Sequence, residues 1–378
     1  MPDVDIYSLP SPCYVVDEGR VVHNLQILRK VIDASGCRIL LAQKAFSMFA
    51  LYPLIGQYLH GTTASSLHEA RLGREHMGGE THIFSPAYVA DEFEQIVSLC
   101  DHLVFNSFYQ WHKFGPVAQA AGRSCGLRIN PQCSTQQHPI YDPCAPGSRL
   151  GIRRAEFASQ NLTGIDGLHF HCLCEQNADA LATTLQAVEE NFAELLPGMK
   201  WLNLGGGHHI SREDYNTALL LECINRLQSK YGLTVYLEPG EAIALNAGFL
   251  VCTVIDIINT EALPVLVLDC SAACHMPDVL EMPYRPPLPG SGRVGEKPHS
   301  YRLAGPTCLA GDIIGDYSFD RPISRGNRLV FGDMAIYSMV KNNTFNGINL
   351  PAIALYKRNK QLAIVKTFDY EDFKNRLS

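Results

Sequence analysis

Between residues 39 and 238 the chain repeats one pattern, a short apolar run followed by a longer amphipathic stretch. The runs are "ILLAQ" (39–43), "GTTAS" (61–65), "THIFS" (81–85), "HLVFN" (102–106), "CGLRI" (125–129), "GLHFH" (167–171), "WLNLG" (201–205) and "TVYLE" (234–238). Segments such as 89–100, 178–195 and 212–230 place apolar residues at helical spacing between them. Eight β-α units in roughly 200 residues are the signature of a closed parallel (β/α)8 barrel. A doubly wound open sheet uses the same units and is the structural alternative. One connection breaks the rhythm: residues 130–150, "NPQCSTQQHPIYDPCAPGSRL", read as a long loop, and loops of that length are more often functional than idle.

After Glu241 the helical crossovers stop. "FLVCTVIDIIN", "LPVLVLDCS", "YRLAG", "NRLVFGD" and "AIALYKRNKQLAIVK" are β-rich, and stretches such as "PYRPPLPGSGRVGEKP" separate them. The expected division is a barrel over 21–245 and an antiparallel β domain, barrel or sandwich, over 246–378. The strand-like "CYVVD" near the start has no place among the eight runs, so residues 1–20 are expected to join the β domain.

With 46% hydrophobic and 18% charged residues the composition is that of an ordinary globular protein. The net charge of −7 and the lack of any basic cluster exclude the usual electrostatic footprint for nucleic acid. No run approaches a membrane span. Thirteen cysteines, an odd number in a long chain, read as reduced thiols rather than a disulfide framework. "MPDVDIYSLPSPCYVVD" lacks the basic and apolar regions of a secretory leader, so a cytoplasmic protein is expected.

In a (β/α)8 barrel the reactive groups sit at the C-terminal ends of the strands. That rule selects Lys44 after the first run, Arg128 on the fifth, His171 ending the sixth, "GGGHH" (205–209) after the seventh and Glu238 closing the eighth. Each has a plain alternative: a solvated lysine, a satisfied core histidine. Against the first, Lys44 is a lone charge in "ILLAQKAFSMFAL", where burial would depress the amine pKa and make it nucleophilic. Gly205, Gly206 and Gly207 imply that backbone must come close to something, and at this barrel position that is typically a phosphate held by main-chain N–H groups. An imine-forming lysine, a phosphate cradle, a flat imidazole and an acid point to pyridoxal 5′-phosphate (PLP), with Glu238 on the pyridine nitrogen. The rival is a metal-dependent hydrolase using His169 and His171. It lacks the further carboxylates such sites need, and zinc-finger spacing is absent, so no metal is expected.

These residues resemble the fold-type III PLP decarboxylases, the alanine racemase-like superfamily that holds the ornithine and diaminopimelate enzymes, over essentially the whole chain. The resemblance implies Lys44 as the cofactor lysine, His171 as the ring-stacking histidine and Gly205–Gly207 with Gly240 at the phosphate. It also implies Glu238 at the pyridinium nitrogen, a carboxylate that favours decarboxylation over racemisation. In the β domain, "GPTCLAGD" (305–312) resembles the family motif whose cysteine, here Cys308, donates a proton across a dimer interface. "GDMAIYSMVKNNTFNG" (332–347) is similar to the segment whose tyrosine, here Tyr337, binds the phosphate. The family's homodimer, with shared active sites, is implied in the same way.

Two departures narrow the substrate. Where ornithine and diaminopimelate enzymes read Glu-Pro-Gly-Arg, this chain has Glu241, an acid that would repel a phosphate and so is expected to meet a cation. The segment 269–287 adds Asp278 and Glu281, for which solvated loop charges are the plain alternative. With these acids the chain resembles most the polyamine branch of the superfamily, whose substrate is a carboxylated triamine. Glu241, Asp278, Glu281 and Asp312 are then expected to receive its ammonium groups. The alternatives are a diaminopimelate or ornithine decarboxylase and a non-catalytic PLP-binding barrel.

Overall fold

The computed structural model describes residues 4–136 and 139–378. Gln137 and His138 of the long loop, and residues 1–3, lie outside the described residues. The chain folds as two units: Val22–Ile243, and residues 4–21 together with Ala244–Ser378.

The first strand, β1 (Cys13–Asp17), belongs to the second unit. The first unit is then built from β2 (Arg38–Ala42), β3 (Gly61–Ala64), β4 (Glu80–Phe84), β5 (His102–Phe105), β6 (Ser124–Asn130), β7 (Ile152–Arg153), β8 (Gly167–His169), β9 (Trp201–Asn203) and β10 (Thr234–Leu237). All pair in parallel with their neighbours, and, β7 apart, the ring closes through β10 with β2 and β5 with β6 into an eight-stranded barrel. The eight apolar runs are its eight strands, and the open-sheet alternative is excluded by that closure. The two-residue β7 is an addition, pairing with the end of β6 where the long loop returns.

Helices between the strands start where short polar side chains satisfy free N–H groups. Ser107 Oγ accepts from Gln110 N at 3.2 Å and Asn216 Oδ1 from Leu219 N at 3.1 Å. At its other end the helix Thr217–Tyr231 stops on Gly232, whose φ of 69° lets the chain turn back into β10. The barrel base is filled by Trp201. A Cβ on Gly126 or Gly167 would lie 2.3 or 2.1 Å from its ring, so both positions must be glycine for the indole to fit.

The second unit is a sheet of β1, β11 (Gly248–Ile258), β12 (Val265–Leu268), β13 (His299–Ala304), β14 (Ile313–Phe319), β15 (Arg328–Gly332), β16 (Ala352–Tyr356) and β17 (Leu362–Lys366). It is mixed rather than wholly antiparallel, because β1 runs parallel to β16 and β12 parallel to β13. β11 is its spine: it pairs with β1, β12 and β15, and a register shift between Val254 and Asp256 lets it serve different partners along its length. One face packs a core around Tyr14, Leu250, Tyr317 and Phe331.

Candidate active site

β2 ends at Ala42 and the chain turns at once, with Ala45 N donating to Ala42 O, which places Lys44 at the C-terminal mouth of the barrel. Lys44, Arg128, His169, His171, Gly206 and Glu238 line one small cavity there, with Phe84 and Thr63 on its wall. The sequence rule thus brings four side chains from four strand ends to one place.

Their hydrogen bonds fix protonation states. Gly206 N donates to His171 Nδ1 at 3.1 Å, so the proton of the neutral ring sits on Nε2. That atom lies 3.3 Å from Lys44 Nζ. An N–H facing the amine is favourable only if the amine is neutral and accepts. The electrostatics agree: burial lowers the Lys44 pKa and the Arg128 guanidinium lowers it further, although part of the side chain stays accessible at the mouth. Burial, with Lys44 and Arg128, holds His171 well below its usual value. Arg128 is itself pushed down to about 10 by burial and remains charged at neutral pH. It donates to His171 O at 3.0 Å and stacks on Phe84 at 4.5 Å.

Glu238 is oriented by two residues that strand-end reasoning passed over. Asn203 Oδ1 accepts from Gly205 N at 2.9 Å, which turns its Nδ2 towards Glu238 Oε1 at 2.7 Å. His169 Nε2 lies 3.3 Å from Glu238 Oε2. Burial alone would raise the Glu238 pKa, but the His169 and Asn203 hydrogen bonds overcome it and keep the carboxylate ionised. His169 is itself lowered by burial, so at neutral pH it acts on Glu238 as a neutral donor rather than as a cation. The alternation that puts His169 and His171 on one face was legible. Their separate partners, Glu238 and Lys44, were not.

The glycine run is explained by close backbone approach. A Cβ on Gly205, Gly206 or Gly207 would lie 2.3, 2.5 or 2.0 Å from the carbonyl oxygens of Phe170, Glu238 and Leu173. Because the amides of Gly205 and Gly206 are taken by Asn203 and His171, the expected phosphate cradle cannot use them as they stand. Gly240 packs likewise, with its Cβ position 2.5 Å from the Ala45 methyl. Glu241 opens the short helix Glu241–Ala244 and lies 4.0 Å from His209 Nε2, next to Glu175. Burial, then Arg212, lowers His209 to about 4, so that neighbour is uncharged at neutral pH.

The acids of the sheet unit do not stand ready for a ligand. Lys341 Nζ bonds Asp278 at 2.5 Å and also Glu281, so both expected amine acceptors already hold an ammonium group. Asp312 is 2% exposed and accepts from Ser271 Oγ, Ala273 N and Thr307 Oγ1. It is a structural knot, not an amine receptor. Cys308 lies in an exposed turn whose amide donates to Asn346 Oδ1 at 2.8 Å, and Tyr337 holds a left-handed φ of 53°.

Among the described residues no helix is long and apolar enough to cross a membrane. The chain is 43% identical to carboxyaminopropylagmatine decarboxylase of Synechocystis sp., covering 98% of this chain and 96% of that one. It is 40% identical to carboxynorspermidine/carboxyspermidine decarboxylase of Campylobacter jejuni, covering 98% and 99%. The crystal structure of carboxynorspermidine decarboxylase from Campylobacter jejuni, complexed with norspermidine, superposes with a TM-score of 0.91 at 40% identity over 97% of this chain and all of that one. Residues 13–335 match the family described as "Pyridoxal-dependent decarboxylase, C-terminal sheet domain", so the chain belongs to the pyridoxal-dependent decarboxylases.

Proposed function

We propose that this protein decarboxylates a carboxylated triamine, carboxynorspermidine or carboxyspermidine, to norspermidine or spermidine in polyamine biosynthesis, with PLP held in the Lys44 cavity. The observation that carries it is the doubly hydrogen-bonded Glu238 carboxylate sharing that cavity with the Lys44 amine, whose pKa burial and Arg128 lower. The donor set fits the cofactor: a nucleophilic amine for the aldehyde, a flat neutral imidazole for the ring and a fixed carboxylate for the pyridine nitrogen. When bound, PLP supplies an electron sink for the pair left on the α-carbon as carbon dioxide departs.

The chain's own residues do the rest. His171, pinned by Gly206, keeps a proton directed at Lys44 and favours its neutral form. Glu238, pinned by Asn203, keeps a negative charge at a fixed point without protonating. Arg128 lines the cofactor cavity, the Gly207 amide is assigned to the phosphate, and Tyr337 joins it by resemblance. The net reaction breaks one C–C bond and delivers one proton to carbon, a task the resemblance gives to Cys308. Of the four acids first considered for the substrate amines, only Glu241 remains in the proposal. A cytoplasmic homodimer completes the reading, and light scattering on the purified protein tests the dimer.

A second reading has its own support. The Synechocystis relative is named for a substrate ending in an agmatine guanidine, and it is as similar to this chain as the triamine enzyme. Carbon dioxide release from carboxynorspermidine, carboxyspermidine, carboxyaminopropylagmatine and diaminopimelate should rank a carboxylated triamine first. A clear preference for the guanidine substrate selects the second reading, and turnover of diaminopimelate alone overturns both. Borohydride treatment of the purified protein should fix the cofactor on the Lys44 peptide, seen by mass.

A further inference from the structure

We propose that Cys144 and Cys172 are an oxidation-sensitive dithiol that closes to a disulfide and ties the 130–150 loop to the strand end carrying His171. The two sulfurs lie 3.5 Å apart, although the residues are separated by the whole loop return and by β7. A disulfide needs them at about 2.0 Å, a closure that side-chain rotation and a small loop shift can supply.

The juxtaposition is held from both sides. Gln136 Nε2 donates to Cys172 O at 2.9 Å, and Thr135 and Gln176 exchange hydrogen bonds at 2.9 and 2.7 Å. On the other flank Asn130 Nδ2 donates to Leu150 O at 3.1 Å, and Cys144 N donates to Asp142 Oδ1 at 2.8 Å. The loop is therefore stitched to the segment after His171 through Thr135 and Gln136, and braced within itself on the Cys144 side.

The two thiols differ in the way a redox pair requires. Cys144 is half-buried and can be reached from solvent, whereas Cys172 is 3% exposed. The hydrogen bond between the two sulfurs lowers the Cys144 pKa against the opposing effect of burial, and the Cys133 backbone and Arg128 help. The same hydrogen bond, together with burial, moves Cys172 the opposite way, up. With a peroxide as oxidant, the Cys144 thiolate sulfur attacks one oxygen, the O–O bond breaks and water leaves, giving a sulfenic acid. The Cys172 sulfur then attacks that sulfur, the S–S bond forms and a second water leaves with the Cys172 proton. Two thiols and one hydrogen peroxide become one disulfide and two waters, two electrons passing from sulfur to oxygen.

Closure moves Cys172, the residue after His171, whose carbonyl receives Arg128. The expected result is a several-fold fall in turnover that a dithiol reverses.

The test uses the full-length holoenzyme, treated with a slight excess of hydrogen peroxide, alkylated and digested. The expected product is a peptide pair joined through Cys144 and Cys172, absent in Cys144→Ser and after dithiothreitol. Turnover should fall in the wild type and hold in Cys144→Ser. Alkylation of both cysteines after peroxide, a dominant Cys133–Cys144 link, or sulfinic acid at Cys144 without a link overturns the proposal. A complete link with unchanged turnover overturns its effect on the site. The cross-link is read by mass alone, so its outcome is separable from the identity of the substrate.

Discussion

The two ends of the barrel use nearly the same residue types and do opposite things with them. At the base, Glu80, His82 and His102 meet Arg38. Arg38 bonds Glu80 at 2.5 Å, His82 Nε2 lies 3.0 Å from Glu80, and the two imidazoles stack at 3.9 Å. Trp201 closes the space beside them, 5.3 Å from His102. At the mouth, Glu238, His169 and His171 meet Lys44 and Arg128, but glycine backbone replaces the indole and a cavity remains. The base spends its charges on one another. The mouth fixes its charges with neutral donors, Asn203 and His169, and leaves an amine and a carboxylate facing open space. A carboxylate-histidine cluster becomes a site only when it is oriented by groups that do not cancel it.

Substitutions at the two ends should therefore separate activity from stability. Lys44→Ala should remove carbon dioxide release and the borohydride-fixed cofactor together while leaving the thermal transition in place. Intact turnover would erase the special status of the mouth. Glu238→Gln keeps the shape and removes the charge, and turnover should fall about 10²–10³-fold, the scale of one preorganised electrostatic partner. At the base, Trp201→Ala should cost about 3–5 kcal/mol in denaturant unfolding through the cavity it leaves, with kcat of the folded protein unchanged. Gly167→Ala drives a methyl into the same indole and should cost about 1–3 kcal/mol. The last effect appears only in acid. Burial, with His82 beside it, lowers His102 to about 3 from 6.5. The unfolded chain therefore binds the extra proton first. That contribution is complete above about pH 6.5 and declines as pH falls towards 3, by at most about 1.4 kcal/mol per pH unit. His102→Asn should flatten that slope, and an unchanged slope would place the proton uptake elsewhere.

Legibility in the sequence followed the range of the interaction. The barrel strands were readable because each is a local apolar run between helical stretches, and Lys44, Arg128, His171 and Glu238 were readable because strand ends name positions without any contact. The strand "IIGDYSF" was not read as one, since Gly315 and Asp316 interrupt its pattern. The parallel pairing of β1 with β16 joins opposite ends of the chain, and no local pattern records it. Asp278 and Glu281 looked available because their cation, Lys341, comes about sixty residues later. Asn203 went unnoticed because its task is to turn an amide, a role that neither charge nor hydropathy announces.

The seat of β1 has a consequence for synthesis. Its residues Cys13–Val16 are at most 3% exposed, between β11 and β16, and β16 starts only at residue 352. A ribosome adding ~5–20 residues per second leaves this apolar strand without its second partner for on the order of tens of seconds. All eight barrel strands emerge well within that interval. The nascent chain thus carries an unpaired, aggregation-prone edge ahead of a barrel already able to form, and shielding of that edge, rather than barrel folding, is expected to limit the yield of native protein.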